Sequence, residues 1–239
     1  MTTTTKPILL LDVDGVVNAF RPTRPHLVRE LGGREVKGVW IPYTIRFDNE
    51  VVDMLDALAA HFEIHWATMW NQAANTEIAP ALGIDDLPVM TCNHNAGWDA
   101  AADEGLSAVD IHRLWYAKTP LIPQYVGDQP FAWLDDDHSL ADERYLAAHT
   151  DQHFRLVRTD ADTGLDWNDV EILVQWATDL AAGTLEPRAA RTASAQASAR
   201  VFMDDPDPVL WFEDETPEEI DWDSDDARAF LAALDNDNA

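Results

Sequence analysis

Asp12 and Asp14 follow directly on the apolar run Ile8–Leu11 and precede Gly15. A second acidic group, Asp135-Asp136-Asp137, follows the apolar residues 131–134. Between the two lie Thr68, at the end of an apolar stretch, and Lys118, two residues before Pro120. Carboxylates gathered at the edge of a core are too costly unless a cation meets them. This set of residue types suits phosphoryl transfer. One carboxylate can attack phosphorus and give an aspartyl-phosphate. A second can protonate the leaving oxygen and then activate water. Further carboxylates can hold Mg²⁺, a hard cation that prefers oxygen ligands. A hydroxyl and an ammonium can neutralise the transferring oxygens.

These residues need elements that bring them together. Short continuous apolar runs read as buried parallel strands. They fall at residues 8–12, 62–68, 87–92, 131–134 and 154–158. Helical patterns alternate with them, which predicts an α/β architecture with a Rossmann-like, five-stranded parallel sheet and helices on both faces. Asp48 or Asn49 is the expected cap of a helix bearing Val51, Val52, Leu55 and Leu58. A helix over 71–82 stops near Gly83, and Thr119 followed by Pro120 starts a short one that ends near Gly127. Ser139 caps a helix reaching about His149, and Asp166 starts one that turns Val170, Leu173, Val174, Trp176, Ala177 and Leu180 inward before Gly183. If the strands are parallel, Asp12, Asp14, Thr68, Lys118 and the Asp135 cluster share one sheet edge, where open α/β sheets place ligands.

Residues 18–47 form an insertion, with Pro22, Pro25, Pro42 and the pair Gly32-Gly33 favouring a turn or hairpin over a helix. Its charge is basic: Arg21, Arg24, Arg29, Arg34, Lys37 and Arg46 face only Glu30 and Glu35. Those cations are either an ordinary solvated surface or a flap that meets an anionic substrate, with Arg21 and Arg24 as candidate contacts. The rest of the chain is strongly acidic. The 239 residues carry a formal net charge of -28, which opposes broad binding to phosphate backbones. Residues 1–183 read as one domain, 184–200 as an Ala-, Ser-, Thr- and Arg-rich linker, and 201–239 as an acidic, disordered tail. That tail holds fourteen acids against Arg228 alone, and suits a basic protein partner. A single cysteine, Cys92, excludes an intrachain disulfide, and no leader or membrane span is evident. The expectation is a soluble, cytoplasmic protein with no membrane partner.

Asp12-Val13-Asp14-Gly15-Val16 resembles the first motif of the haloacid dehalogenase (HAD) superfamily. Thr68 within Trp66-Ala67-Thr68-Met69-Trp70 is similar to its second motif, Lys118 to its third, and Leu134-Asp135-Asp136-Asp137 to its acidic fourth. The order and spacing match over about residues 6–182. The Trp-Ala-Thr-x-Trp form is also similar to small HAD domains associated with RNA-repair proteins. The resemblance implies that Asp12 is the nucleophile and a metal ligand. It implies that Asp14 is the general acid–base, with its backbone carbonyl on the metal. Thr68 and Lys118 would bind the phosphoryl group, and Asp135 and Asp136 would complete a Mg²⁺ site. Dehalogenases of the superfamily lack an acid at the position of Asp14, so its presence favours phosphate chemistry. The insertion corresponds to a small cap.

The expected function is therefore a Mg²⁺-dependent phosphomonoesterase acting on a small phosphomonoester or nucleotide, or on a nucleic-acid end. Asn71, just after the second motif, is either a substrate contact or the start of the helix that follows. Two other acid-rich folds fit less well. A calcium loop would need an oxygen ligand at Val16 and a closing glutamate. A receiver domain would place its lysine after the last motif strand, whereas Lys118 precedes Asp135. A reading from a different class is a non-catalytic interaction protein that keeps the fold and works through its acidic tail.

Overall fold

The computed structural model describes residues 6–36, 39–92 and 118–185, with 34–36 and 39–42 at the level of the backbone. Four strands form the central sheet: β1 (Ile8–Leu11), β4 (Glu63–Trp66), β5 (Phe131–Asp135) and β6 (Phe154–Arg158). All pair in parallel, in the order β4-β1-β5-β6. Every residue of β1 and β5 is buried, as a strand covered on both faces must be. Leu9 and Leu11 face one layer with Ala132 and Leu134, whereas Leu10 faces the other with Phe131 and Trp133.

Helices cover both faces. On one side lie α1 (Val51–Ala59) and the long C-terminal helix α5 (Trp167–Ala182), whose Val170, Leu173, Trp176 and Ala177 are buried. Trp176 stacks on Phe62 with centroids 6.1 Å apart. On the other side lie α3 (Ile122–Val126) and α4 (Leu140–His149). The expected ends of α5 hold. Asp166 and Asp169 form a reciprocal capping box, and Gly183 closes the helix at φ 67°. Ser139 and Asp142 do the same at the start of α4.

Several expectations need correction. Among the described residues the sheet has four strands, not five. Residues 87–92 approach the β4 edge, but only Val89 makes a bridge, to Trp66. Pro88 has no N–H to donate to a ladder, and the Asn75 side chain takes both backbone groups of Leu87 at 2.8 and 3.0 Å. The predicted helix over 71–82 is a π-helical turn (Ala74–Ile78) leading into α2 (Ala79–Leu82). Pro80 lacks the N–H that the Thr76 carbonyl would accept, and its ring crowds that carbonyl, so the helix widens ahead of it. Thr119 is no cap. It lies inside a 3₁₀ turn (Thr119–Leu121), and its hydroxyl donates to Asp142 at 2.5 Å instead. The residue before α1 is Glu50, without a side-chain cap; Asp48 instead accepts the Glu50 N–H on Oδ1 at 2.8 Å, and its Oδ2 lies 2.9 Å from Arg24 Nε.

The insertion is a hairpin of β2 (His26–Val36) and β3 (Val39–Asp48), antiparallel and separate from the main sheet. Its register shifts between Leu31 and Arg34. Gly32 and Gly33, at φ 44° and 148°, supply the bulged residues, and Pro42 lies opposite them where no ladder N–H is required. The acidic tail at 201–239, and all of the 184–200 linker beyond Leu185, lie outside the described residues.

Candidate active site

Parallel register assembles the site. Leu11 pairs with Trp66 on one side and with Leu134 on the other. One residue further on, the Ala67 N–H donates to the Leu11 carbonyl, and the Asp12 N–H to that of Leu134. Asp12 therefore stands between the Ala67-Thr68 step and Asp135, at the carboxyl end of the sheet. Lys118 enters from the 3₁₀ turn, which the Thr119–Asp142 bond ties to α4. It is fully buried, and its Nζ lies 2.8 Å from Asp12 Oδ2 and 2.6 Å from Asp135 Oδ2.

Asp135 is fixed further. The Trp133 indole donates to Oδ2 at 3.1 Å and the Asp137 backbone N–H to Oδ1 at 3.0 Å. Asp137 itself is exposed. Asp136 packs over Gly15. A Cβ on Gly15, which sits at φ 74°, would lie 2.3 Å from the Asp136 carboxyl carbon, so only glycine fits. The Thr159 hydroxyl donates to the Gly15 carbonyl at 2.8 Å and Arg158 Nε to the Asp136 carbonyl at 2.7 Å, pinning both loops.

Oxygens of Asp12, Asp135 and Asp136 lie within 4.8 Å of one another. Among the described residues, three carboxylates meet one ammonium, that of Lys118, which leaves an excess of negative charge. Burial pushes the Asp12 carboxyl up to about 7 despite Lys118 beside it. Burial, with help from Asp135, pushes Asp136 up to about 6. Burial would lower Lys118, but the two carboxylates against it override that and raise it above its ordinary range. Hard oxygen donors, close spacing and uncompensated charge fit a divalent cation.

Asp14 is turned differently. Its carboxylate is outside the three-acid group and accepts from Asn18 Nδ2 at 2.7 Å and Trp70 Nε1 at 2.9 Å. Thr68 is buried, and its hydroxyl accepts from the Trp70 backbone N–H at 3.3 Å. Beside Asp14 a cavity of about 540 Å³ opens between the hairpin and the segment after β4. Asn18, Leu31, Tyr43, Ile45, Trp70 and Glu77 are among its walls.

The structure thus brings Asp12, Lys118, Asp135 and Asp136 together and sets Asp14 and Thr68 at the same edge. The three expected substrate contacts have other partners. Asn71, at φ 49°, donates to the Met69 and Cys92 carbonyls and accepts from the Cys92 N–H at 2.6 Å. Arg24 pairs with Asp48 and donates to the Leu165 carbonyl at 2.6 Å. Arg21 is exposed and lies 3.8 Å from Asp162. Sequence reasoning missed Asn18, Trp133, Thr159 and the polar role of Trp70. Only Trp70 carried a signal, through its place in Trp-Ala-Thr-x-Trp. Cys92 is no nucleophile, because burial pushes its thiol up to about 12.

Among the described residues no helix is long and apolar enough to cross a membrane. Residues 8–170 match a family model described as "HAD domain in Swiss Army Knife RNA repair proteins". No curated protein matches the chain.

Proposed function

This chain belongs to the family of HAD domains found in Swiss Army Knife RNA repair proteins, and from that membership we propose that it is a Mg²⁺-dependent phosphomonoesterase. The membership makes it a HAD-type domain with an acidic cluster able to hold a divalent metal. The finer reading rests on one observation above all: Lys118 bridges Asp12 and Asp135 in a buried cluster completed by Asp136.

Asp12 is the nucleophile. Its Oδ attacks phosphorus, the ester oxygen departs, and an aspartyl-phosphate results. Lys118 neutralises charge on the transferring oxygens, and the buried Thr68 hydroxyl donates to them. Asp14, oriented by Trp70 and Asn18, gives its proton to the leaving oxygen. It then takes a proton from the water that cleaves the acyl-phosphate and regenerates Asp12. Asp12, Asp135 and Asp136 would hold Mg²⁺, with the Asp14 backbone carbonyl. When bound, the ion supplies further positive charge for the phosphoryl oxygens. Small phosphomonoesters and nucleotides rank ahead of a nucleic-acid end, since a net charge of -28 opposes a long polyanion.

Phosphate release from a panel of phosphomonoesters with Mg²⁺ tests this reading. Turnover should stop with EDTA and in Asp12→Asn. Hydrolysis retained by a folded Asp12→Asn protein would overturn it.

A further inference from the structure

The cavity beside Asp14 has a chemistry unlike the charged edge. On the phosphatase reading, on which this inference rests, Asp14 marks the leaving-group side, because in-line displacement sends the departing alcohol away from Asp12. The walls beyond Asp14 are therefore what the alcohol touches. Tyr43 of β3 and Trp70 stand edge to face there, with centroids 5.3 Å apart and planes at 66°. Leu31, Ile45 and Met69 extend the apolar surface. Both side-chain ends of Asn18 are already used, by Asp14 and by the Arg46 N–H. Among the described lining residues the only charged groups are the Asp14 and Glu77 carboxylates. Of the insertion's arginines, Arg24 is held by Asp48, and Arg29 donates to the neighbouring Val28 carbonyl.

We propose that this cavity selects phosphomonoesters whose leaving alcohol carries a flat aromatic ring and no second phosphate, with Tyr43 and Trp70 as the specificity-determining surface. An aromatic ring buries well against these walls and gains from the edges and faces of the two aromatic side chains. A polyol would surrender hydration to the Leu31, Ile45 and Trp70 surface and regain hydrogen bonds only at the few polar walls, such as Thr44 and Glu77. A second phosphate would meet two carboxylates. The volume is ample for such a group. Gly32 and Gly33, at the hairpin bulge, also line the cavity.

The test measures equilibrium binding to the full-length Asp12→Asn protein with Mg²⁺. The probes are a nucleoside monophosphate, a sugar monophosphate, and the same nucleoside bearing one phosphate at each of two positions. The nucleoside monophosphate should bind about tenfold more tightly than the sugar phosphate, as base–aromatic stacking allows. The doubly phosphorylated nucleoside should bind more weakly than the singly phosphorylated one. Adding Tyr43→Ser should remove most of the nucleoside preference and leave sugar phosphate binding unchanged. Equal affinity for the two monophosphates, tighter binding of the doubly phosphorylated probe, or a preference that survives Tyr43→Ser would each overturn the proposal. If the preference holds but the native chain hydrolyses neither monophosphate, the phosphatase reading fails and the selective cavity stands.

Discussion

The charged edge and the hairpin-walled cavity meet at Asp14, yet they are built by opposite means. At the edge, every key group is buried or half-buried and locked by a partner: Asp12 by Lys118, Asp135 by Lys118 and Trp133, Asp136 by its seat over Gly15. The cavity mixes buried walls, Asn18 and Ile45, with partly exposed ones, and Tyr43, 41% exposed, stands on a two-stranded ribbon outside the main sheet. Two-stranded ribbons have little stability of their own. Asp48 and Arg24 anchor this one at its base, and Asn18 joins Phe47 by a bridge. On the proposed function this is a division of labour: tightly held parts for a transferring phosphoryl group, more exposed parts for what it leaves behind. Changes at the edge should therefore affect all substrates alike, and changes in the cavity should sort them.

The largest effect belongs to Asp12, the proposed nucleophile. Asp12→Asn should lower kcat by roughly a thousandfold or more on every phosphomonoester. Thermal unfolding should stay close to that of the native chain, since Lys118 keeps Asp135. A substrate-dependent loss would break the proposed contrast between the two regions. Next comes Lys118→Met, which leaves two buried carboxylates facing each other without a cation. Removing one partner of a buried ion pair typically costs about 3–5 kcal/mol. Unfolding measured with EDTA should show that loss, and millimolar Mg²⁺ should restore part of it by supplying the missing charge. Identical losses with and without Mg²⁺ would argue that the three acids do not hold the ion.

How much of this could be read from the chain differs between the two regions for a physical reason. The edge is set by a short apolar strand, its parallel neighbours and the side chains one or two steps beyond their ends. All of that is local pattern plus register, so Asp12 and Asp135 were legible from it, whereas Lys118 enters from the 3₁₀ turn and was legible only from its place in chain order between Thr68 and Asp135. The fifth strand was not, because Leu87 gives its backbone to Asn75, a pairing between distant residues that no periodicity reveals. Asn71 carries the same lesson. Its position after Thr68 suggested substrate, and no local pattern foretold its left-handed backbone or its three bonds to Met69 and Cys92, which tie two loops together. The arginines of the insertion gave only a charge count. Their partners, Asp48, Leu165 and Asp162, depend on how the hairpin folds back.

Gly15→Ala tests how tightly the edge is packed. The new methyl would collide with the Asp136 carboxyl group in a left-handed backbone that alanine disfavours. Stability should fall by about 2 kcal/mol, with strain and overpacking acting together. Mg²⁺ binding, followed by calorimetry, should weaken because Asp136 must move. Gly32→Ala, at the hairpin bulge where a Cβ meets nothing within 4 Å, should leave Mg²⁺ binding unchanged. Equal effects on Mg²⁺ binding would erase the difference in rigidity between the two regions.

The smallest effect is the most diagnostic of the ion. Burial raises three folded-state carboxyls well above the ordinary 3.8: Asp12 to about 7, Asp136 to about 6, and Asp169 in the α5 cap to about 6. Raised carboxyls bind protons more tightly in the folded chain than in the unfolded one. Their contribution to stability is therefore fully present below pH about 4 and fades as pH rises through 6 to 7. The cation-free protein should lose a few degrees of Tm across that window. A divalent cation on Asp12 and Asp136 favours their charged forms, so saturating Mg²⁺ should flatten the slope and leave only the share belonging to Asp169, which lies in the α5 cap and outside the acidic cluster. Tm against pH, with EDTA and with Mg²⁺, separates the two contributions. Parallel curves would mean that the ion does not sit on these carboxylates, and the contrast between a metal-holding edge and a metal-free cavity would go with it.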